Sequence, residues 1–292
     1  MKKRVVVYKR VPPHVIARLE ERFELVCFDG VTAENRAQFL AALKTAHGMI
    51  GASVKFDAAT LAVAESLEIA STISVGYDAF DVPYMRERGI MLTHTPDILT
   101  DSVADLVMAL ILATSRRIVE LDGFVRAGKW GQSVEEEAFG TDVHHRTIGL
   151  VGMGRIAAAV ARRAHHGFGM KVIYDDHKHV PEVDAEFGAK SMPLADLLAQ
   201  ADYVCPLLPY RPENDKLFGK AEFAKMKPSA IFINASRGKV VDEAALIAAL
   251  HDGTIRAAGL DVFETEPLAA SSPLMKMANV VLVPHIGSAT AA

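Results

Sequence analysis

Short apolar runs, each closed by Gly, Pro or a charged residue, recur along the chain with stretches of helical periodicity between them. Val5 to Tyr8, Glu24 to Phe28, Met49 to Ala52, Ile69 to Ser74 and Ile90 to Thr93 read as strands of a first series, with a helix from Pro13 to Phe23 after the first. This alternation predicts a small α/β domain over residues 1–98. A second series comprises Thr147 to Val151, Lys171 to Tyr174, Tyr203 to Leu207, Ala230 to Asn234, Ala257 to Leu260 and Val280 to Val283. Near-continuous apolar runs of this kind suit parallel strands covered on both faces. Helices are predicted between them at Ile156 to His165, Leu194 to Ala201, Lys220 to Met226 and Glu243 to Asp252, giving a second domain over residues 99–287. One long helix from Asp101 to about Ala127 is expected to join the series, with Val103, Leu106, Val107, Leu110, Ile111 and Ala113 on its apolar face, followed by a polar loop from Gly128 to His145. The fold class is therefore α/β, with two Rossmann-like, doubly wound parallel-sheet domains.

Composition narrows the possible partners. Half of the 292 residues are apolar, enough for a large core, and a net charge of -4 gives no general attraction to nucleic acid or anionic membrane. Basic residues are dispersed apart from Lys2, Lys3 and Arg4, so no nucleic-acid partner is expected. The stretch Leu106 to Ala113 is too short to span a bilayer, and no secretory pattern precedes Val5, so no membrane partner is expected either. Cys27 and Cys205, both in apolar surroundings, point to reduced thiols and a cytoplasmic protein. His144 and His145, His165 and His166, and His177 and His179 are read as surface or structural residues, because neighbouring side chains on a strand or helix point apart. No metal is expected.

Chemistry enters where the strands end. Gly152-Met153-Gly154-Arg155-Ile156-Ala157 follows the run ending at Val151 and opens a helical stretch, which is the context a dinucleotide-binding fingerprint requires. Gly152 permits the bend, Gly154 lets the backbone approach a pyrophosphate, and free N–H groups of the helix hold the anion. Asp175, at the end of the next strand, suits the adenosine ribose hydroxyls and repels a 2′-phosphate, so NAD is favoured over NADP. Arg237, Glu266 and His285 each lie a few positions past an apolar run, and ligands of open α/β sheets bind beyond the carboxyl ends of strands. His285 is a suitable proton donor beside a hydride transfer, Glu266 raises its pKa and fixes its tautomer, and Arg237 suits a carboxylate in a bidentate pair.

These residues resemble those of the D-isomer-specific 2-hydroxyacid dehydrogenase family over nearly the whole chain. The similarity is carried by Ser74-Val75-Gly76-Tyr77-Asp78, Thr95 to Thr100, the Gly152 turn, Ile233-Asn234-Ala235-Ser236-Arg237-Gly238, Gly259 to Pro267 and Pro284-His285-Ile286-Gly287. More loosely, Gly140 to His144 and Pro284 to Thr290 resemble the bacterial branch that reduces 2-ketogluconate, hydroxypyruvate and glyoxylate. The resemblance implies a substrate domain and a nucleotide domain with the active site in the cleft between them, a small 2-oxo acid as substrate, NAD or NADP as cofactor, and a homodimer formed through the nucleotide domain. It places the catalytic set on Arg237, Glu266 and His285. Substrate contacts fall on Val54, Val75, Gly76 and Arg237. Cofactor contacts fall on Gly152, Gly154, Arg155, Ile156, Asp175, Leu208, Pro209, Asn214, Asn234, Ala235, Ser236, Asp261 and Gly287, with Asp261 at the nicotinamide carboxamide.

Departures from the pattern carry their own expectations. The reductase branch commonly has a neutral residue at Asp175 with arginines after it, whereas this chain has Asp175, Asp176, His177 and Lys178. Asn214 stands where threonine is usual, and Ala138 and Phe139 lie where relatives often carry a tryptophan. Ala138 and Lys55 would suit a polyhydroxylated acid. The family continues into a helix that returns to the substrate domain, so residues 288–292 are read as the start of a missing crossover helix, with lower stability expected. The fold alone leaves open a dinucleotide-sensing binding protein without turnover, or a truncated inactive relative.

Overall fold

In a computed structural model that describes residues 1–291, the chain forms two compact units divided after Ile98. The first is built from β1 (Lys3–Val7), α1 (Pro13–Glu20), β2 (Phe23–Cys27), α2 (Arg36–Lys44), β3 (Gly48–Gly51), α3 (Ala58–Val63), β4 (Ile69–Thr72), α4 (Val82–Glu87) and β5 (Met91–Thr93). Its five strands are all parallel in the order β2-β1-β3-β4-β5. Pro13 opens α1, where a missing N–H costs nothing, and Asp57 and Asp81 cap α3 and α4 by accepting from the N–H groups of Thr60 and Tyr84. One face of the sheet is closed by an aromatic cluster. Tyr8 meets Phe56 edge-on at 5.2 Å between centroids, and Phe56 stacks on Phe80 at 5.1 Å. Gly51 makes room for this: a Cβ there would lie 2.5 Å from the Tyr8 ring.

The second unit contains α5 (Thr100–Ser115), α6 (Ile118–Arg126), β6 (Thr147–Val151), α7 (Arg155–Phe168), β7 (Lys171–Asp175), α8 (Pro181–Phe187), β8 (Lys190–Ser191), α9 (Leu194–Gln200), β9 (Tyr203–Pro206), α10 (Lys220–Phe223), β10 (Ile231–Asn234), α11 (Glu243–His251), β11 (Ala257–Leu260) and β12 (Val280–Leu282). Its parallel sheet runs β12-β11-β10-β9-β6-β7-β8. The order reverses at β6, and the crevice beyond such a reversal is where ligands of doubly wound sheets sit. Strands β9, β10 and β11 are buried at every position, because α5 and α7 cover one face and α9, α10 and α11 the other. Both units are thus α/β with wholly parallel sheets.

The long helix expected from Asp101 to Ala127 is two helices. Leu112 and Thr114 carbonyls accept from Arg116, and Arg117 then takes a left-handed conformation at φ 54°. Arg117 is held there by a two-pronged pair with Glu120 at 2.8 and 2.6 Å and by the carbonyl of Glu137. Apolar spacing continues across the break, and neither Gly nor Pro marks it. Within the following loop, Glu136–Ala138 form a short 3₁₀ turn.

Two further expectations need correction. Cys27 is exposed, and only Cys205 is buried, where loss of solvation pushes its thiol pKa up. His144 and His145 do not point apart, since they occupy a turn rather than a strand or helix. His145 sits at φ 60°, bringing the two Nδ1 atoms to 2.8 Å. The rings of His165 and His166 on α7 also approach, at 4.9 Å between centroids. Among the described residues no group of three or more His, Cys, Asp or Glu side chains is arranged to hold a metal, and no helix is long and apolar enough to cross a membrane. Residues 288–291 are not helical, and Ala292 lies outside the described residues.

Candidate active site

Backbone hydrogen bonds continue past the ends of three adjacent strands of the second unit and bring their loops into register. Asp261 N–H donates to the Asn234 carbonyl at 2.8 Å, and His285 N–H donates to the Asp261 carbonyl at 2.9 Å. The loops after β10, β11 and β12 therefore share one edge of the sheet. Arg237, Glu266 and His285 are carried on these three loops.

Nδ1 of His285 lies 2.7 Å from Oε2 of Glu266, whose Oε1 accepts the Phe263 N–H at 3.1 Å. The hydrogen bond to Glu266 raises the His285 pKa above the ordinary imidazole value against the opposing effect of burial, and the charges of Glu266 and Asp261 add to it. Burial pushes Glu266 the other way, yet the bonds from His285 and Phe263 and the charges of His285 and Arg237 leave its pKa lowered. The guanidinium of Arg237 is thus near enough to act on both partners. With Nδ1 committed to Glu266, Nε2 of His285 has no hydrogen-bond partner among the described residues, and its side chain is half exposed.

Each loop is shaped by residues that do not themselves face open space. Asn234 is 1% exposed; its Oδ1 accepts from Ser236 N–H at 3.0 Å and Ser236 Oγ at 2.9 Å, and its Nδ2 donates to the Arg237 carbonyl at 3.0 Å. This amide fixes the bend that presents Arg237. Gly238 follows, and a Cβ there would overlap the carbonyl of Phe263, so the Arg237 loop can lie on the Glu266 loop only without a side chain. Asp261 is 1% exposed, with Oδ1 accepting from Ile286 N–H at 2.6 Å and Oδ2 from Gly287 N–H at 3.0 Å. Its carboxylate holds the two residues that follow His285, which itself sits at φ 53°. Burial raises the Asp261 pKa against those two donors. The family resemblance implies a cofactor amide beside Asp261, and the sequence carries no signal of this clamp. Nor does it single out Gly238, although a glycine directly after Arg237 is the available signal.

At the other side of the order reversal, the turn after β6 has the form its sequence predicts. Gly152 adopts φ 90°, and a Cβ there would stand 2.7 Å from Leu208, which packs against the turn. Gly154 precedes α7 and has nothing within 4 Å of the place a Cβ would occupy. Arg155 and Ile156 start α7, and the first-turn N–H groups of a helix have no partner within the helix itself. Asp175 ends β7; its carboxylate has no hydrogen-bond partner among the described residues, and burial, then the charge of Asp176, raises its pKa. Open space at Gly154, the N-terminal end of a helix directly after it and an unengaged carboxylate on the next strand fit a dinucleotide. Asn214 bonds within its own loop, Oδ1 accepting from Arg211 N–H at 2.8 Å and Nδ2 donating to the Pro209 carbonyl at 2.7 Å, so it shapes the segment carrying Leu208 and Pro209.

In the first unit, the loop after β4 is stitched together around Val75 and Gly76. Ser74 Oγ donates to the Gly76 carbonyl at 2.6 Å, the His94 ring lies 3.0 Å from the Val75 carbonyl, and Thr95 N–H donates to the Ser74 carbonyl at 3.1 Å. The carbonyls are engaged, whereas the N–H groups of Val75 and Gly76 have no acceptor among the described residues. Val54 follows Ser53, which takes φ 65°, and packs on the edge of the aromatic core.

Residues 108–287 match the family model described as D-isomer specific 2-hydroxyacid dehydrogenase, NAD binding domain. The chain belongs to the D-isomer-specific 2-hydroxyacid dehydrogenase family, whose members are NAD(P)-dependent oxidoreductases. It is 53% identical over 290 residues to glyoxylate/hydroxypyruvate reductase B of Yersinia pestis, covering 99% of this chain and 89% of that protein. Among solved structures, the TT0316 protein of Thermus thermophilus superposes with a TM-score of 0.90 at 39% identity, over 98% of this chain and 90% of that one. An NADPH-dependent glyoxylate/hydroxypyruvate reductase of Sinorhizobium meliloti, in complex with NADP and malonate, superposes with a TM-score of 0.84 at 34% identity, over 100% of this chain and 88% of that one.

Proposed function

We propose that the protein reduces glyoxylate, hydroxypyruvate or a related small 2-oxo acid such as 2-ketogluconate to the corresponding 2-hydroxy acid, of D configuration where the product is chiral, with proton donation by His285. The observation that carries this reading is the 2.7 Å bond between His285 and Glu266, which leaves Nε2 open beside the charge of Arg237. A bound nicotinamide dinucleotide supplies the hydride. Arg237 pairs with the substrate carboxylate and polarises the carbonyl. As the carbonyl carbon takes up hydride, its oxygen gains charge, and the Nε2–H of the imidazolium transfers a proton to it. Glu266 keeps Nδ1–H in place throughout and stabilises the charged ring.

Gly152, Gly154, Arg155 and Ile156 are assigned to the pyrophosphate, Asp175 to the ribose, and Leu208, Pro209, Ala235, Ser236 and Gly287 to the walls of the cofactor site, with the buried Asn234 and Asp261 shaping the loops behind them. Val75 and Gly76, with their unengaged N–H groups, and Val54 are assigned to the substrate. The first unit then serves the substrate and the second the dinucleotide. A homodimer through the second unit is supported by Ile118, Val119, Val125, Trp130 and Phe139, which are exposed on α6 and the loop after it. A monomer in light scattering contradicts that assembly. The two free cysteines are compatible with a cytoplasmic place, and no nucleic-acid or membrane partner is proposed.

Oxidation of NADH and NADPH followed with glyoxylate, hydroxypyruvate and 2-ketogluconate, with chiral analysis of the hydroxypyruvate product, tests the reading. Turnover of at least one acid and formation of D-glycerate are expected. Binding of dinucleotide without turnover of any of them contradicts it and favours the sensing protein.

A further inference from the structure

Two carboxylates stand together at the end of β7, and they do different things. Asp175, as described, is unengaged. Asp176 is committed: its Oδ2 accepts the N–H of Met153 at 2.6 Å, its Oδ1 accepts the N–H of Lys178 at 3.0 Å, and Nδ1 of His177 lies 2.7 Å from Oδ1. Its side chain is 13% exposed. Burial alone would raise its pKa, but the two N–H donors and His177 outweigh that and hold it below the ordinary carboxylate value.

Met153 is the residue between the two glycines of the nucleotide turn. The loop after β7 is therefore tied to that turn twice, by the Gly152 N–H on the Asp175 carbonyl at 2.8 Å and by Met153 on the Asp176 side chain. The second tie lies one residue from Gly154, where open space marks the approach of a ligand to the backbone. A charge-assisted bond of this kind is stronger than a neutral one and defines position as well as energy. Any 2′-phosphate placed against Asp175 also meets the adjacent Asp176 charge, which is fixed in place and does not swing away.

We propose that Asp176 is a positioning and specificity-determining residue for the dinucleotide: its bond to Met153 sets the shape of the glycine turn, and its fixed charge discriminates against a 2′-phosphate alongside Asp175. The inference rests on the reading that the Gly152 turn binds a nicotinamide dinucleotide. Asp176 acts through Met153 and through its field, and touches no reacting atom.

The two roles separate in two variants. Asp176→Asn keeps an acceptor for Met153 N–H and removes the charge, whereas Asp176→Ala removes both. Steady-state kinetics of the full chain with NADH and with NADPH, using glyoxylate, and melting temperatures of each variant give the readouts. Both variants are expected to raise the ratio of kcat/KM for NADPH over that for NADH by roughly tenfold, the effect of deleting one charge a few ångström from a phosphate in a partly hydrated site. Only Asp176→Ala is expected to raise KM for NADH, again roughly tenfold, as the loss of the sole side-chain acceptor that positions the Met153 N–H. That loss falls on KM rather than kcat. If the cofactor ratio is unmoved and both variants lose activity equally with both cofactors, tracking melting temperature, Asp176 is merely structural and the proposal is overturned. Titration of the wild-type protein with NADH, followed by tryptophan quenching and by calorimetry, keeps the two readings apart. Binding by wild type with no ratio change in the variants overturns the role of Asp176 alone, and no binding by wild type overturns the dinucleotide reading on which it rests.

Discussion

Glu266 and His285 meet at 2.7 Å although 19 positions separate them in sequence, and the bond fixes the imidazole with Nδ1 inward and Nε2 outward. Parallel β11 and β12 place the two loops side by side, and Asp261 ties the second of them down. A proton donor needs a defined donor atom and a charged form that persists in use; this pair defines the atom, and the hydrogen bond to Glu266 favours the charged ring.

The pH profile follows from the direction of the His285 shift. Its pKa is raised, so the protonated donor persists to higher pH than a free imidazole, and reduction falls as pH rises through that value. Glu266, lowered, stays ionised across the same range. Glu266→Gln removes the stabilising charge and is expected to move the alkaline limb of kcat/KM to lower pH. A limb that stays in place contradicts the coupling. For stability the sign is the same. The pair's contribution is fully present below the unfolded histidine pKa and is lost as pH rises through the folded one.

Arg237→Lys keeps the charge but loses the planar fork. A rise of roughly ten- to a hundredfold in KM for the 2-oxo acid is expected, the scale of one or two lost hydrogen bonds to a charged group. KM for the dinucleotide is expected to stay near the wild-type value. Equal losses for substrate and cofactor would show that Arg237 holds the loop rather than the carboxylate.

Gly238 and Gly154 make opposite predictions. Gly238→Ala forces the backbone of Phe263 to move and is expected to cost about 2–4 kcal/mol, the upper range for overpacking, with a clear fall in melting temperature. Gly154→Ala meets no protein atom within 4 Å, so its melting temperature stays close to wild type while its KM for dinucleotide rises. Thermal denaturation and cofactor titration of the two variants check the contrast, and a stable Gly238→Ala protein contradicts it.

Asp261→Asn sets an amide nitrogen against one of the two N–H groups of Ile286 and Gly287. The buried mismatch is expected to cost about 1–3 kcal/mol of stability. With the segment after His285 loosened, kcat falls more than KM. Urea unfolding together with turnover measures both, and loss of stability with undiminished kcat would remove Asp261 from the support of His285.

Much of this arrangement is legible in the sequence, for identifiable reasons. Runs such as Thr147–Val151 and Ala257–Leu260 are apolar and bounded by turn residues, so their limits are the limits of strands. Strand-end logic then marks Arg237, Glu266 and His285 as neighbours. What periodicity does not carry is conformation at single residues. The break at Arg117 depends on a left-handed residue and on Glu120 and Glu137, which share no local pattern with the helix they interrupt. The clamp at Asp261 and the latch at Asp176 depend on which oxygen meets which N–H, and adjacent carboxylates such as Asp175 and Asp176 look alike until their partners are known.

Proton donation by His285 is tested most directly by the turnover of His285→Ala with glyoxylate at saturating NADH, alongside NADH titration of the same variant. A fall of roughly 10² to 10⁴-fold, the usual contribution of a positioned acid, is expected with cofactor binding retained. A variant that binds NADH and keeps more than about a tenth of wild-type turnover is incompatible with that contribution and shows that the proton comes from elsewhere.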